Sequence, residues 1–294
     1  MHVFVTGASG WVASAVVPEL LAAGHTVSGL ARSDASAAVV EGRGATVVRG
    51  TLDDHDLLRE QADRADGVVH LAFPHEDMGD LAAAGAREGE AVAAMVAGLD
   101  GTGKPVVAAS GTPMGQGRPS TEEDSLAVGP VAVRGENEQR LLAGAARGFR
   151  PSAVRLPRSV HGEGDAHGFV AQLSSMFREA GTAMYVGDGT NRWCAVHVRD
   201  AARLFRLALE SAPAGAALHA VGDEGVAVKD IAEALAARLD LPVVGDVEPE
   251  RLGFFGMMQT LDHATTAERT RALMSWAPTQ PTLLEDISAG HYDR

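Results

Sequence analysis

"VFVTGASGWVASAVV", residues 3–17, changes its period at its glycines. Ahead of them stands a short apolar run of strand type, and behind them the small and apolar residues recur at helical spacing. Gly7, Gly10 and Ala13 sit three apart at that junction. Gly7 permits a tight turn, Gly10 lets a pyrophosphate approach the backbone, and Ala13 lets the helix pack closely on the strand. The free N–H groups at the start of the helix then face an anion. A strand, a glycine turn and a helix in this order predict a dinucleotide cradle.

The same unit repeats outward from this stretch. Candidate strands at 2–7, 25–32, 45–50, 66–73, 104–111 and 151–157 alternate with alanine-rich segments of helical spacing. Such alternation predicts an α/β fold, a doubly wound parallel Rossmann sheet covered on both faces. After Pro157 the rhythm changes to a Gly- and His-rich loop, a helix near 167–180, another loop, and a helix from about 198 to 211. A strand-like "ALHAVG" at 217–222 and a helix at 228–239 follow, and the last 45 residues have no clean period. The change predicts a smaller lobe placed over the strand ends.

Composition narrows the partners. A formal charge of −14 disfavours nucleic acid and anionic membrane surfaces, since both require a concentrated basic face. Cys194 is the only cysteine, so no intrachain disulfide forms. No stretch approaches the roughly 20 apolar residues of a membrane span, and the N-terminus lacks the pattern of a secretory leader. A cytoplasmic protein acting on a small molecule is expected, with a homodimer allowed.

Four stretches carry a family likeness: "TGASGWVA" (6–13), "HLAF" (70–73), "VRLPRSVHGEGD" (154–165) and "VGDGTNRWCAVHVRDAARL" (186–204). Together they resemble the extended and atypical short-chain dehydrogenase/reductases, most closely the NAD-dependent epimerase/dehydratase branch. The likeness implies a Rossmann domain of residues 1–160 completed by segments near 198–222, and a substrate-binding lobe of 161–197 and 223–294. It implies cofactor contacts from Gly7, Ser9, Gly10, Trp11 and Val12 at the first turn, Leu71, Ala72 and Phe73 after strand four, and Pro157 after strand six. Where the family commonly has Asp-Leu at the adenine this chain has Thr51-Leu52, followed by Asp53, so Leu52 and Asp53 are the candidates there.

Strand two ends "GLARS". An NAD site usually closes this strand with a carboxylate for the ribose 2′-OH, whereas an NADP site needs a cation for the 2′-phosphate. Ala31 falls where the acid would be, and Arg32 and Ser33 follow. NADP(H) is the expected cofactor.

Short-chain dehydrogenases typically pair a tyrosine with a lysine four residues later, the tyrosine exchanging a proton with the substrate oxygen as hydride moves. This chain has only Tyr185 and Tyr292, and only Lys104 and Lys229. On the expected helix "PVAVRGENEQRLL" (130–142), Pro130 takes the tyrosine position and Arg134 the lysine position. Arginine can hold a ribose or a local charge, but at neutral pH it gives up no proton. The family's supporting Asn is also missing from the helix before strand five. Ser110 does match the usual Ser or Thr at the end of strand five, with Thr112 as a near alternative.

A replacement acid is therefore sought. His161 is the first candidate, placed by the likeness in a loop beside the nicotinamide, and histidine's ordinary pKa suits proton transfer. His75, a few residues beyond strand four, is the second; His70, inside that strand, reads as packed and structural. Tyr185 and Trp193 flank the "VGDGTNRW" loop as candidates for a substrate wall or, equally, as caps of the small lobe's core. His161, Glu163, Asp165 and His167 match no metal-ligand spacing, and no metal is expected.

The leading expectation is an NADPH-dependent reductase of a small-molecule C=O, C=N or activated C=C group, with a non-standard proton-transfer site. A redox-neutral epimerase, cyclase or dehydratase on the same scaffold stays open, as does an NmrA-like dinucleotide sensor without chemistry.

Overall fold

The computed structural model describes residues 1–74, 80–115, 117–126 and 132–293. Its first half alternates β1 (His2–Thr6), α1 (Ala13–Ala22), β2 (Thr26–Ala31), α2 (Asp34–Gly42), β3 (Thr46–Arg49), α3 (His55–Arg64), β4 (Gly67–His70), α4 (Leu81–Ala97), β5 (Pro105–Gly111), α5 (Ala132–Ala143) and β6 (Arg150–Leu156). The second half runs β7 (Ser159–His161), α6 (Phe169–Ala180), β8 (Ala183–Val186), β9 (Arg192–His197), α7 (Val198–Ser211), β10 (Ala216–His219), β11 (Asp223–Ala227), α8 (Val228–Leu239), β12 (Val243–Val247), α9 (Gly253–Gln259), α10 (Glu268–Met274) and α11 (Leu283–Ser288).

Seven strands form a parallel sheet in the order β10-β6-β5-β4-β1-β2-β3. Adjacent residues within each strand feed opposite faces, as the strand period requires. Val3 and Val5 of β1, Val69 of β4 and Val107 of β5 join one core with α1, α2 and α7; Phe4, Val68 and Val106 join another with α3, α4 and α5. Each fully buried Val, Leu or Phe contributes roughly 1.5–3 kcal/mol relative to exposure, so these two layers hold the sheet. The strand order reverses direction at β1 and β4, and the crevice outside the carboxyl ends there is where such sheets bind ligands.

The remaining strands build a lobe of two small sheets, β11-β9-β7 and β12-β8. Trp193, Phe177, Leu173, Leu235, Leu283 and Tyr292 fill its core. Parts of the tail return to the large sheet, since Ala267, Met274 and Trp276 bury in the core shared with α7 and β10. Asp200 in the first turn of α7 anchors that return by accepting hydrogen bonds from Thr279 N, Thr279 Oγ1 and Gln280 N.

Candidate active site

The first turn has the geometry its glycines predict. Gly7 stands at φ +66°, and a Cβ added there would lie 2.7 Å from Ala72 N and 2.8 Å from Leu71 C. Both the left-handed backbone and the close approach of the β4 end exclude a side chain. Gly10 N donates to Gly7 O at 2.9 Å, and Gly10 itself is exposed toward the crevice. Arg43, which caps α2, donates to Ala8 O (2.5 Å) and Gly10 O (3.1 Å) and clamps the turn from below. Trp11 Nε1 donates to Val160 O at 2.8 Å, so this side chain ties the turn to β7. Ser9 and Val12 are half-buried beside it, and Leu71, Ala72 and Phe73 line the adjoining β4 end, half-buried. A side chain at Gly7 would collide with the end of β4, so the tight turn that a dinucleotide cradle needs depends on glycine there.

Two other predicted cofactor contacts are committed elsewhere. Arg87 of α4 binds both carboxylate oxygens of Asp53 at 2.7 Å and holds its pKa below the ordinary range, so this carboxylate is paired before any adenine arrives. Neighbouring Leu52 is half-buried against the α3–α4 core. Ser33 caps α2: its Oγ accepts from Ser36 N, and Ser36 Oγ accepts in turn from Ser33 N. Arg32 is exposed at the carboxyl end of β2.

At β4 and β5 the sheet register sets Thr6 beside His70, His70 beside Ala108, and Ser110 beside Arg155. Ser110 and Arg134 of α5 line one chamber, with His70, Glu88 and Asn137. The Arg134 guanidinium lies 4.2 Å from the centre of the Phe73 ring and 3.5 Å from Glu88 Oε1 of α4. Burial raises the Glu88 pKa, against the opposing pull of Arg134 and of Asn137, whose Nδ2 lies 3.3 Å away. Asn137 Nδ2 also donates to Gly85 O at 2.7 Å, so an asparagine from α5 contacts α4 where the family's own asparagine is missing. Arg155 of β6 locks this corner by binding Glu138 of α5 and donating to Glu122 O and Asp124 O. His75 and Pro130 lie outside the described residues.

Three expectations are corrected. His161 occupies a strand rather than an open loop: β7 begins two residues after Pro157 and pairs with β9, which leaves the imidazole 1% exposed with its Nδ1 2.6 Å from Asp286 Oδ2. Thr112 is buried, its Oγ1 3.0 Å from His263 Nε2. Trp193 is a fully buried core residue of the lobe, because β9 is the middle strand of its sheet. Tyr185 packs against Gly189 and Gly245, where an added Cβ would strike its ring at 2.7 and 2.4 Å; these glycines make space for it within the lobe. Tyr292 is buried in the same lobe beside Asp165. Neither tyrosine lies on α5.

Sequence reasoning missed Arg158. It follows buried Pro157 at the β6 end, stacks 5.0 Å from the Trp193 ring centre, and donates to Met258 O at 2.9 Å and toward Met114 Sδ at 3.7 Å. Burial pushes its pKa down to about 10, and among the described residues it has no carboxylate partner. The only sequence signal was a basic residue in the "RLPR" run at a strand's carboxyl end.

A doubly wound sheet with a glycine cradle at its switch point defines a dinucleotide-binding Rossmann protein. Residues 3–221 match the NAD dependent epimerase/dehydratase family, and the chain belongs to it. An uncharacterized protein of Saccharomyces cerevisiae is 40% identical over 99% of both chains. A protein of a Streptomyces species named 3-diazoavenalumate denitrifying reductase is 30% identical over 96% of this chain and 97% of its own. The structure of UDP-glucose 4-epimerase from Thermotoga maritima superposes with a TM-score of 0.80, covering 100% of this chain and 99% of that one, at 17% identity. This last likeness is one of fold.

Proposed function

We propose that the protein is an NADP(H)-dependent reductase of a small molecule, acting on a C=O, C=N or activated C=C group. The observation that carries this reading is the meeting of Ser110 and Arg134 beside the Gly7 cradle, with no tyrosine on α5. The family's NAD dependence and the reductase name of the 30% identical relative support an oxidoreductase. Exposed Arg32, directly after β2, with Ala31 in place of an acid, supports a 2′-phosphate.

The nicotinamide, when bound, supplies hydride. This chain's residues do the rest. The N–H groups of the first turn hold the pyrophosphate. Arg134, steadied by Phe73 and Glu88, carries a fixed charge at the ribose, where the family has lysine. Ser110 hydrogen-bonds the group being reduced. Arg158 orients an oxygen or anionic group of the substrate, since a partly buried guanidinium without a carboxylate gains most from one. A site lacking the phenol favours acceptors that need little proton assistance, such as a protonated imine or an enone.

The test is calorimetric titration with NADPH and NADH, then NADPH oxidation against ketones, enones and cyclic imines. Tight NADPH binding with turnover of one class is the expected result. In that assay Arg158→Ala raises KM about tenfold or more and lowers kcat less. NADPH binding with no oxidation by any class would sink the reductase reading.

A further inference from the structure

Arg158 stands three residues beyond Arg155, the register partner of Ser110, and Thr112 N donates to Leu156 O between them. Its Cα is at most about 10–11 Å from that of Arg155, so one small molecule can reach both Ser110 and the guanidinium. Of the five N–H groups a guanidinium carries, one is given to Met258 O and one to Met114 Sδ, a weak acceptor. The chain has 39 acidic and 25 basic residues, yet the acids near this corner are committed elsewhere. Asp262, four residues beyond Met258, is held through both oxygens by Arg192. Burial, and after it the Arg158 charge, lowers the neighbouring His263 to a pKa of about 4, so at neutral pH the charge here is that of Arg158.

Apolar side chains surround that charge. The guanidinium lies 5.0 Å from the Trp193 ring centre, Trp193 meets Phe169 edge-on at 6.0 Å, and Phe169 lies 6.1 Å from Phe254. Phe169 opens α6 just after the loop 162–168, and a Cβ added at Gly164 would lie 3.8 Å from the Trp11 ring, so this row of rings starts beside the cofactor cradle. Met258 O accepts from Trp193 Nε1 as well as from Arg158, which fastens α9 to the end of β6. Within α9, Phe255 and Met258 pack on the lobe core, whereas Phe254 and Met257, three residues apart and so on one face, are 54% and 53% exposed. Met114, at the other side of the guanidinium, is exposed too.

We propose that the substrate is an apolar carboxylic acid, its carboxylate held by Arg158, its reducible group within reach of Ser110, and its apolar remainder covered by Phe254 and Met257. This names the substrate class of the reductase reading given above and rests on it. One guanidinium matches one negative charge, and its fork accepts both oxygens of a carboxylate. A sugar diphosphate would bring at least two charges and many hydroxyls, which need further cations and polar partners; thioethers and aromatic rings offer neither. The same rings exclude water from the ion pair and so strengthen it. A neutral amide of the same skeleton keeps the apolar contact but loses the charge-assisted bonds, so the acid should bind about tenfold or more tightly.

The experiment is calorimetric titration of the full chain, with NADP present, using trans-cinnamate, cinnamamide, acetate and uridine diphosphate as probes. Cinnamate should bind about tenfold or more tightly than each of the other three. Arg158→Ala should bring cinnamate to within about twofold of cinnamamide, and Arg158→Lys should keep part of the preference. Phe254→Glu, a change at an exposed position, should weaken cinnamate about tenfold and cinnamamide about threefold, since it sets a like charge beside the carboxylate and removes a ring. Leu273→Ser, exposed on α10, should change neither. An amide that binds as well as the acid, a preference that survives Arg158→Ala, or uridine diphosphate binding more tightly than cinnamate overturns the proposal. Should Arg158→Ala fail to fold, unchanged cinnamate affinity in Phe254→Glu overturns it instead. Turnover separates the two readings: with NADPH, 3-benzoylacrylate should exceed its amide about tenfold in kcat/KM. Equal turnover of both overturns the acid site and leaves the reductase standing, whereas a preserved binding preference with no oxidation of NADPH by any ketone, enone or imine overturns the reductase and leaves a site for apolar acids.

Discussion

His70 and His161 are each about 1% exposed, yet the regions around them differ in kind. His161 sits where the lobe meets the chain's tail. Its Nδ1 lies 2.6 Å from Asp286 of α11, its ring packs edge-on against His197, and His291 approaches the same carboxylate at 3.2 Å. Burial alone would raise the Asp286 pKa, but the hydrogen bond and charge of His161, with His197 and His291, hold it low. His70 has only a threonine hydroxyl on one nitrogen, and its other nitrogen faces a chamber beside Ser110. A buried imidazole tied to a carboxylate holds structure together. Both imidazoles keep a buried Nε2 without a hydrogen-bond partner, that of His161 lying 3.8 Å from Asp223 Oδ2, so what sets His70 apart is its lack of a carboxylate partner and the chamber it faces.

The largest effect that sharpens this contrast is on stability. Asp286→Ala should cost about 3–5 kcal/mol, because it strands buried histidines without their anion. Urea unfolding would measure it, and the folded fraction should retain its affinity for NADPH. His161→Ala should cost about 2–3 kcal/mol and leave kcat within about twofold. A folded His161→Ala enzyme without turnover would break the comparison and return His161 to the chemistry.

Acid should separate the regions further. Burial pushes His70 down from 6.5 to about 4, as it does His219 and His263. Between those values the unfolded chain binds protons that the folded chain refuses, so each such histidine makes stability fall as pH drops, by about 1.4 kcal/mol per pH unit. Glu88, Asp165 and Asp223 are raised by burial and act in the opposite sense. The informative quantity is therefore the difference between wild type and His70→Gln. Its slope should flatten by about one proton between pH 6.5 and 4; parallel curves would mean that His70 titrates freely.

The smallest expected effect concerns the cofactor. Arg32→Ala should weaken NADPH binding about tenfold to a hundredfold, roughly 1.4–2.7 kcal/mol, and NADH binding by less than about threefold. Equal losses for both would leave the 2′-phosphate without its assigned partner.

Each element of the large sheet was legible in the sequence because local rules determine it. Strand and helix periods, the Gly7–Gly10–Ala13 spacing and the change of rhythm at Pro157 are short-range patterns, whereas the order β10-β6-β5-β4-β1-β2-β3 appears only in the folded sheet. Ser110 and Arg134 were singled out through the family resemblance, from their places at the end of strand five and on the helix that follows. What tertiary structure alone decided was which polar groups meet. Asp53 finds Arg87 34 residues away, and His161 finds Asp286 at a separation of 125. Glu88 and His70 face one chamber because α4 and β4 pack on α5 and β5. No periodicity records such pairings: the energy of a buried charge depends on its three-dimensional neighbours, and only the packed fold supplies them.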